Sequence, residues 1–389
     1  MPARPRTYLD WNATALLAPE ARTAMLAALG LSGNPSSVHG EGRAVRALID
    51  AARRDVAGLV GADPAHVIFT SGATEAASMV LTPDFRMGRT PLSIGRLYVS
   101  AIEHPAVREG GRFDKEQVIE IPVTAAGIVD LAALEALLDA HDAESGLPMV
   151  AVMLANNETG IIQPVRAAGE IVHKRGGLFV VDAVQAAGRL PLSISDLGAD
   201  FLFLSAHKLG GPKGAGALVS RGEVLMPKPL IRGGGQEKGH RSGTENAAAI
   251  AGFGAVARAA ADGLEARTAR IRALRDHLEA RMAALAGDVI IHGRAVERLS
   301  NTTFFSLPGL KSETGQIAFD LEGIAVSAGS ACSSGKVGAS HVLTAMGFDA
   351  ALGGLRASLG PTTTEADVDR FLDAFARIAG RRRQGTAAA

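Results

Sequence analysis

Two short stretches place an amine and a carboxylate where chemistry can use them: Ser205-Ala206-His207-Lys208, running on to Gly214, and upstream of it Val181-Asp182-Ala183-Val184-Gln185. Each follows an apolar run, Phe201 to Leu204 and Leu178 to Val181, short enough to be a buried parallel strand. Open α/β sheets bind their ligands at the carboxyl ends of such strands. An amine and a carboxylate there suit pyridoxal 5'-phosphate (PLP), an aldehyde that a lysine holds as a Schiff base while a carboxylate keeps its pyridine nitrogen protonated. Lys208 is the candidate amine and Asp182 the candidate carboxylate.

A phosphorylated cofactor needs an anion cradle, and Ser71-Gly72-Ala73-Thr74-Glu75 supplies a tight turn into a helix N-terminus directly after a strand ending at Thr70. Alone this is an ordinary cap and turn; beside Lys208 and Asp182 it reads as the cradle, with the Thr74 hydroxyl helping. His104 precedes Pro105, which pushes it toward extended geometry at a strand end, where its ring can stack on the cofactor and shuttle protons. Asn157, in Asn156-Asn157-Glu158, follows another strand, and its amide can reach the cofactor's phenolic oxygen or a substrate carboxylate. Gln185 is a second donor for that oxygen, while Ser205 and His207 flank the lysine within reach of the phosphate. The glycine-rich segment Arg232 to Thr244 suits a backbone that approaches an anion closely. Arg356 offers the bidentate fork that an amino-acid carboxylate needs. The single cysteine, Cys332, stands in Gly329-Ser330-Ala331-Cys332-Ser333-Ser334-Gly335, a small-residue context that neither a core strand nor a core helix favours. An accessible thiolate there is a nucleophile.

The elements that must position these residues show in the pattern of the chain. Its 389 residues predict two domains, and 40 Lys+Arg against 40 Asp+Glu leave no long-range field for nucleic acid or an anionic membrane. A small-molecule substrate is the simpler expectation. The N-terminus lacks the apolar core of a signal peptide and the longest apolar stretches fall short of a span, so a soluble cytoplasmic protein is expected. One cysteine excludes an internal disulfide framework and a Cys-based zinc cage. From about Glu41 to Arg221, helical stretches alternate with apolar runs at 67–70, 97–100, 150–154, 178–181, 201–204 and 217–220, the rhythm of a doubly wound sheet. Ala261 to Gly287 is expected to be one long amphipathic helix leading into a second domain, with strands at 302–307 and 324–327, a last helix near 365–378 and a disordered tail from Arg381. The dinucleotide fingerprint is absent, and 330–336 departs from a phosphate-binding loop at both ends.

With these residues in place, the chain resembles the cysteine desulfurases of the NifS/IscS kind, in the class V aminotransferase group of fold type I PLP enzymes. The likeness runs from Tyr8-Leu9-Asp10 and Gly33-Asn34-Pro35-Ser36-Ser37 through the cradle, Asn156-Asn157-Glu158 and the lysine segment to Cys332 and Arg356-Ala357-Ser358-Leu359-Gly360. It implies a large domain, 15–260, built on a mostly parallel seven-stranded sheet flanked by helices, and a smaller α+β domain, 261–389 with 1–14. It implies that Lys208 bonds PLP, Asp182 pairs with the pyridine nitrogen, His104 stacks on the ring, and Asn157 and Gln185 contact ring substituents. Ala73, Thr74, Ser205 and His207 would hold the phosphate, with Thr244 reaching in from the other subunit of a homodimer. Arg356, with Asn34, would bind the carboxylate of L-cysteine, and Cys332 would take its sulfur as a persulfide, leaving L-alanine. The implied partner is a sulfur acceptor or iron–sulfur scaffold protein met through the Cys332 loop. Trp11 and Lys336-Val337-Gly338 depart from the commonest pattern and bear on that partner surface. Rival readings are an aminotransferase or selenocysteine lyase on the same fold, a silent scaffold, and a serine hydrolase from the S-x-x-K match at 205–208. The hydrolase lacks its companion S-D-N and K-T-G motifs.

Overall fold

The six apolar runs fold as strands and a seventh, β3, joins them: β1 Val67–Thr70, β2 Thr90–Ser100, β3 Val118–Ile121, β4 Leu147–Met153, β5 Leu178–Asp182, β6 Phe201–Ser205 and β7 Gly216–Ser220. They come from a computed structural model that describes residues 6–329 and 339–387. Their order in the sheet is β3-β2-β4-β5-β6-β7-β1. Pairing is parallel from β3 through β6, and β7 runs antiparallel to both its neighbours. The sheet gains two short strands that periodicity did not announce: Asp84–Met87 pairs with the first half of β2 and with Leu225–Pro227, for nine strands in all. β2 begins at Thr90 rather than 97 because its first residues, Thr90-Pro91-Leu92-Ser93, are polar or breaking and hold the extended form only through that antiparallel partner.

Helices cover the sheet by the burial of one face. Gly40–Leu59 starts where His39 accepts the Gly42 N–H, buries Val45, Ile49, Ala52 and Val56, and ends before Gly61, which takes a φ of 59°. It packs on Ala247–Ala261 so closely that a Cβ at Gly254 would lie 2.5 Å from the Ala52 Cα. The single helix expected over 261–287 is found as Leu264–Leu285; Ala247–Ala261 precedes it, and the two are bent by 77°. Gly263 at φ 62° turns the corner. Among the described residues no single helix is long and apolar enough to cross a membrane, and only this bent pair meets that test jointly.

A separate apolar cluster collects Leu9, Leu278, Phe305, Phe319, Phe371 and Phe375, with the Phe319 and Phe371 rings stacked 5.0 Å apart. Its sheet has four antiparallel strands, in the order Ile290–Ile291, Thr302–Ser306, Leu355–Ser358 and Ser327–Ala328. The strand expected at 324–327 divides, because Ile324–Ala325 pairs with Thr7–Tyr8 instead. The tail departs from the expected disorder: the last helix runs Glu365–Ala387, with Arg381 paired to Glu322 and Arg382 to Asp288. Tail residues that look merely basic in sequence thus have carboxylates waiting.

A buried ion pair anchors the segment that ties this cluster to the large sheet. Arg298 donates twice to Glu279, at 2.9 and 3.0 Å, and the Thr303 hydroxyl donates to the same carboxylate. The backbone beside Arg298 pairs with the turn after β4, Leu299 N–H to Gly160 O at 2.8 Å and Ile162 N–H to Glu297 O at 3.0 Å. Glu279→Ala strands a buried guanidinium and is expected to cost about 3–5 kcal/mol, read as a fall in thermal midpoint of roughly 4–6 °C. An unchanged midpoint would show that Arg298 finds another partner.

Candidate active site

The carboxyl ends of five strands deliver their next residues to one cavity of about 550 Å³. β1 delivers Ser71 to Thr74, β2 His104, β4 Asn157, β5 Asp182 and Gln185, and β6 Ser205, His207 and Lys208. Arg356 arrives from the antiparallel sheet and lines the same cavity. Ten of the sequence-derived candidates therefore meet: Ala73, Thr74, His104, Asn157, Asp182, Gln185, Ser205, His207, Lys208 and Arg356. Three do not. Thr244 lines a neighbouring cavity of about 210 Å³ that shares Ser71 and Gly214 with the first. Asn34 is exposed, its side-chain oxygen accepting the Ser36 N–H at 2.8 Å, and it does not line the cavity of its own chain. Cys332 lies outside the described residues.

The N-terminal segment, which motif reading passed over, closes the cavity. Lys208 Nζ donates to the backbone carbonyls of Asn12 and Ala13, both at 2.8 Å. Gln185 Nε2 donates to the same Asn12 carbonyl at 3.0 Å. Asn12 is buried, and its side-chain amide donates to Thr302 Oγ1 at 2.9 Å and to the Asn157 carbonyl at 3.3 Å. Gln185 also accepts from Arg189, so its amide is engaged at both ends. Arg356 donates from Nη1 to Asn157 O and from Nη2 to Asp10, each at 2.8 Å, which fixes the plane of its fork; its Nε has no partner among the described residues. Trp11, a departure in sequence, is buried, with its indole N–H on Tyr8 O and its ring against Gly360. It is part of the interior, not an exposed docking residue. Asn12 carried no motif signal, and Lys213, which also lines the cavity, could have been found as a second cation in the lysine segment.

Burial sets the charge states. It lowers the His104 imidazole to about 4, helped by Lys208 and His341. His104 Nδ1 accepts the Ala106 N–H at 3.1 Å, so the neutral ring carries its proton on Nε2. His207 is likewise lowered to about 4 by burial, Lys208 and Lys213. Burial raises Asp182 to about 6 against the pull of the Val184 N–H at 2.9 Å and of Lys208. Glu158, behind Asn157, is raised by burial to about 7 although the Ser340 hydroxyl donates to it and Arg356 attracts it.

These residues fit PLP by their chemistry. An amine, a carboxyl and a neutral imidazole share the cavity with the N-terminus of Ala73–Val80, which Gly72 leaves without a side-chain cap. A Cβ built on Gly72 or Gly214 would meet no protein atom within 4 Å, so the backbone leaves room at the phosphate end. Lys208 would bond the aldehyde carbon, Asp182 face the ring nitrogen and Ala73, Thr74, Ser205 and His207 hold the phosphate.

Comparison with known proteins agrees with this geometry. Residues 7–371 match the class V aminotransferase family, and the chain belongs to that family of PLP enzymes, among its cysteine desulfurases. It is 42% identical to a cysteine desulfurase of Cereibacter sphaeroides over 381 residues, 96% of this chain and 95% of that one. An IscS-like cysteine desulfurase of Mycobacterium tuberculosis is 39% identical, covering 98% of each chain. Among solved structures, the NifS-like protein of Rickettsia africae superposes with a TM-score of 0.85 at 34% identity, covering 96% of this chain and 99% of that one.

The raised Asp182 carboxyl has a measurable consequence in the cofactor-free protein. Its folded value of about 6 exceeds the unfolded value of about 3.9, so its contribution to stability is present at low pH and is lost as pH rises through about 6. Asp182→Asn removes that loss. The thermal midpoint of the variant relative to wild type is expected to climb between about pH 4 and pH 7, by the equivalent of at most about 2–3 kcal/mol. A difference independent of pH would show that Asp182 titrates normally.

Proposed function

We propose that this chain is a cytoplasmic, homodimeric L-cysteine desulfurase. It takes sulfur from L-cysteine onto Cys332 and passes it to an acceptor for iron–sulfur cluster assembly or thio-modification. The observation that carries this reading is the single cavity in which Lys208, Asp182, His104 and Arg356 converge. A reducing compartment suits a lone reactive thiol, which would otherwise be oxidised. The partition into 15–260 and 261–389 with 1–14 is supported by Leu9, which packs with Leu278 and Phe371 rather than on the large sheet.

PLP, when bound, supplies an electron sink for negative charge at the substrate's α-carbon. Lys208 would take the α-proton and return it. Neutral His104 carries a single N–H on Nε2, able to donate without adding charge, and would cover the PLP ring. Asp182 would hold the pyridine proton, and Asn157 and Gln185 would border the ring substituents. Ala73, Thr74, Ser205 and His207 would bind the phosphate, completed by Thr244 of the partner subunit. Arg356 binds the substrate carboxylate, with Asn34 contributing only if the dimer or a loop rearrangement brings it in. The Cys332 thiolate attacks the substrate sulfur: an S–S bond forms as the Cβ–S bond breaks, and the freed electron pair stays on Cβ, which takes up one proton to become the methyl of L-alanine.

Cys332→Ala tests the assignment directly. The variant is expected to bind PLP as tightly as wild type, keep its visible absorbance and still respond spectrally to L-cysteine, while sulfide release falls by at least about a thousandfold. Undiminished sulfide release would overturn Cys332 as the sulfur carrier.

A further inference from the structure

Glu103 lies directly before His104, is 0% exposed, and has no role in the chemistry above. One carboxyl oxygen accepts the Met153 N–H at 2.6 Å; the other is buried with no partner among the described residues. Met153 is the last residue of β4 and the register partner of Asp182 on β5. The parallel ladder from β2 to β4 ends earlier, at Val99 and Ala151, where β2 turns away toward His104. The Glu103 side chain therefore takes over from a departing strand and satisfies a backbone donor one strand away from Asp182.

Two buried carboxyl groups so near each other do not both keep a charge. Asp182 has the better claim, since it accepts the Val184 N–H and is attracted by Lys208, whereas Glu103 has one backbone donor and no cation bonded to its side chain. The other titratable neighbours do not alter this: His104 is neutral, and His341 donates from Nε2 to the Glu103 backbone carbonyl at 3.0 Å, not to its carboxyl. Burial, reinforced by Asp182 and only partly offset by the Met153 N–H, pushes the Glu103 carboxyl well above its usual range.

We propose that Glu103 is a positioning residue for the ring-nitrogen end of the cavity: a buried, neutral carboxylic acid that fixes the end of β4 beside Asp182 and leaves Asp182, among the described residues, the only negative charge there. The inference rests on the functional reading above, because it takes Asp182 as the group that faces the PLP ring.

Glu103→Gln keeps a neutral acceptor of the same shape, and Glu103→Leu keeps the bulk but removes the acceptor. In the full-length PLP-loaded protein, Glu103→Gln is expected to hold the PLP dissociation constant within about threefold of wild type and to leave the pH midpoint of the visible absorbance unchanged. Glu103→Leu is expected to weaken PLP binding by about tenfold or more and to move that midpoint, since the Met153 N–H is left unpaired beside Asp182. In the cofactor-free protein the neutral acid loses stability as pH rises above its unfolded value of about 4.3, and glutamine does not. The thermal midpoint of Glu103→Gln relative to wild type should therefore increase from about pH 4 to pH 8. A pH-independent difference, or a shifted absorbance midpoint in Glu103→Gln, would overturn the neutral state. A Glu103→Leu variant that folds and matches wild type in PLP affinity and midpoint would overturn the positioning role. Failure of wild type to take up PLP would overturn the functional reading, while the cofactor-free comparison would still decide the state of Glu103.

Discussion

The ammonium of Lys208 rests on two backbone carbonyls, those of Asn12 and Ala13, and much of the site follows from that contact. A half-buried amine needs acceptors, and main-chain carbonyls provide them without adding a counter-charge. To present those carbonyls, the segment around Asn12 is held at many points. Its N–H donates to Ser358 Oγ, Asn301 donates to its side-chain oxygen, and its own amide bonds Thr302 and Asn157. The antiparallel sheet and the carboxyl ends of the parallel strands are thus joined through one asparagine.

The charge pattern of the cavity is a second consequence of burial. His104 and His207 are kept neutral by burial and by the charge of Lys208, while burial raises the Glu158 carboxyl toward neutrality. Lys208, Lys213, an uncapped helix N-terminus and the Asp182 carboxyl line the same cavity. A ligand with an anionic tail and a protonated ring nitrogen complements this set of charges.

The strands of the large sheet were legible where they are wholly apolar, as in Leu178–Asp182 and Phe201–Ser205, because burial on both faces leaves a continuous run. Val118–Ile121 escaped notice: it is a four-residue edge strand interrupted by Glu120. The long helix after Gly263 was legible because its apolar stripe, Ile271, Leu274, Leu278 and Met282, is the face that it buries. At the site, residues just beyond strand ends were readable from motif and place, and ten of them share the cavity. Asn12 was not readable. Its importance comes from contacts with residues near 157, 302 and 358, which no local pattern encodes.

A chain growing from its N-terminus has all seven main strands of the large sheet once residue 220 has emerged. Asn12 still lacks its partners at that stage, for Thr302 and Ser358 are synthesised later. The two carbonyls that cradle the lysine are therefore fixed only after nearly the whole polypeptide has left the ribosome, and the ligand pocket is a late product of folding rather than a template for it.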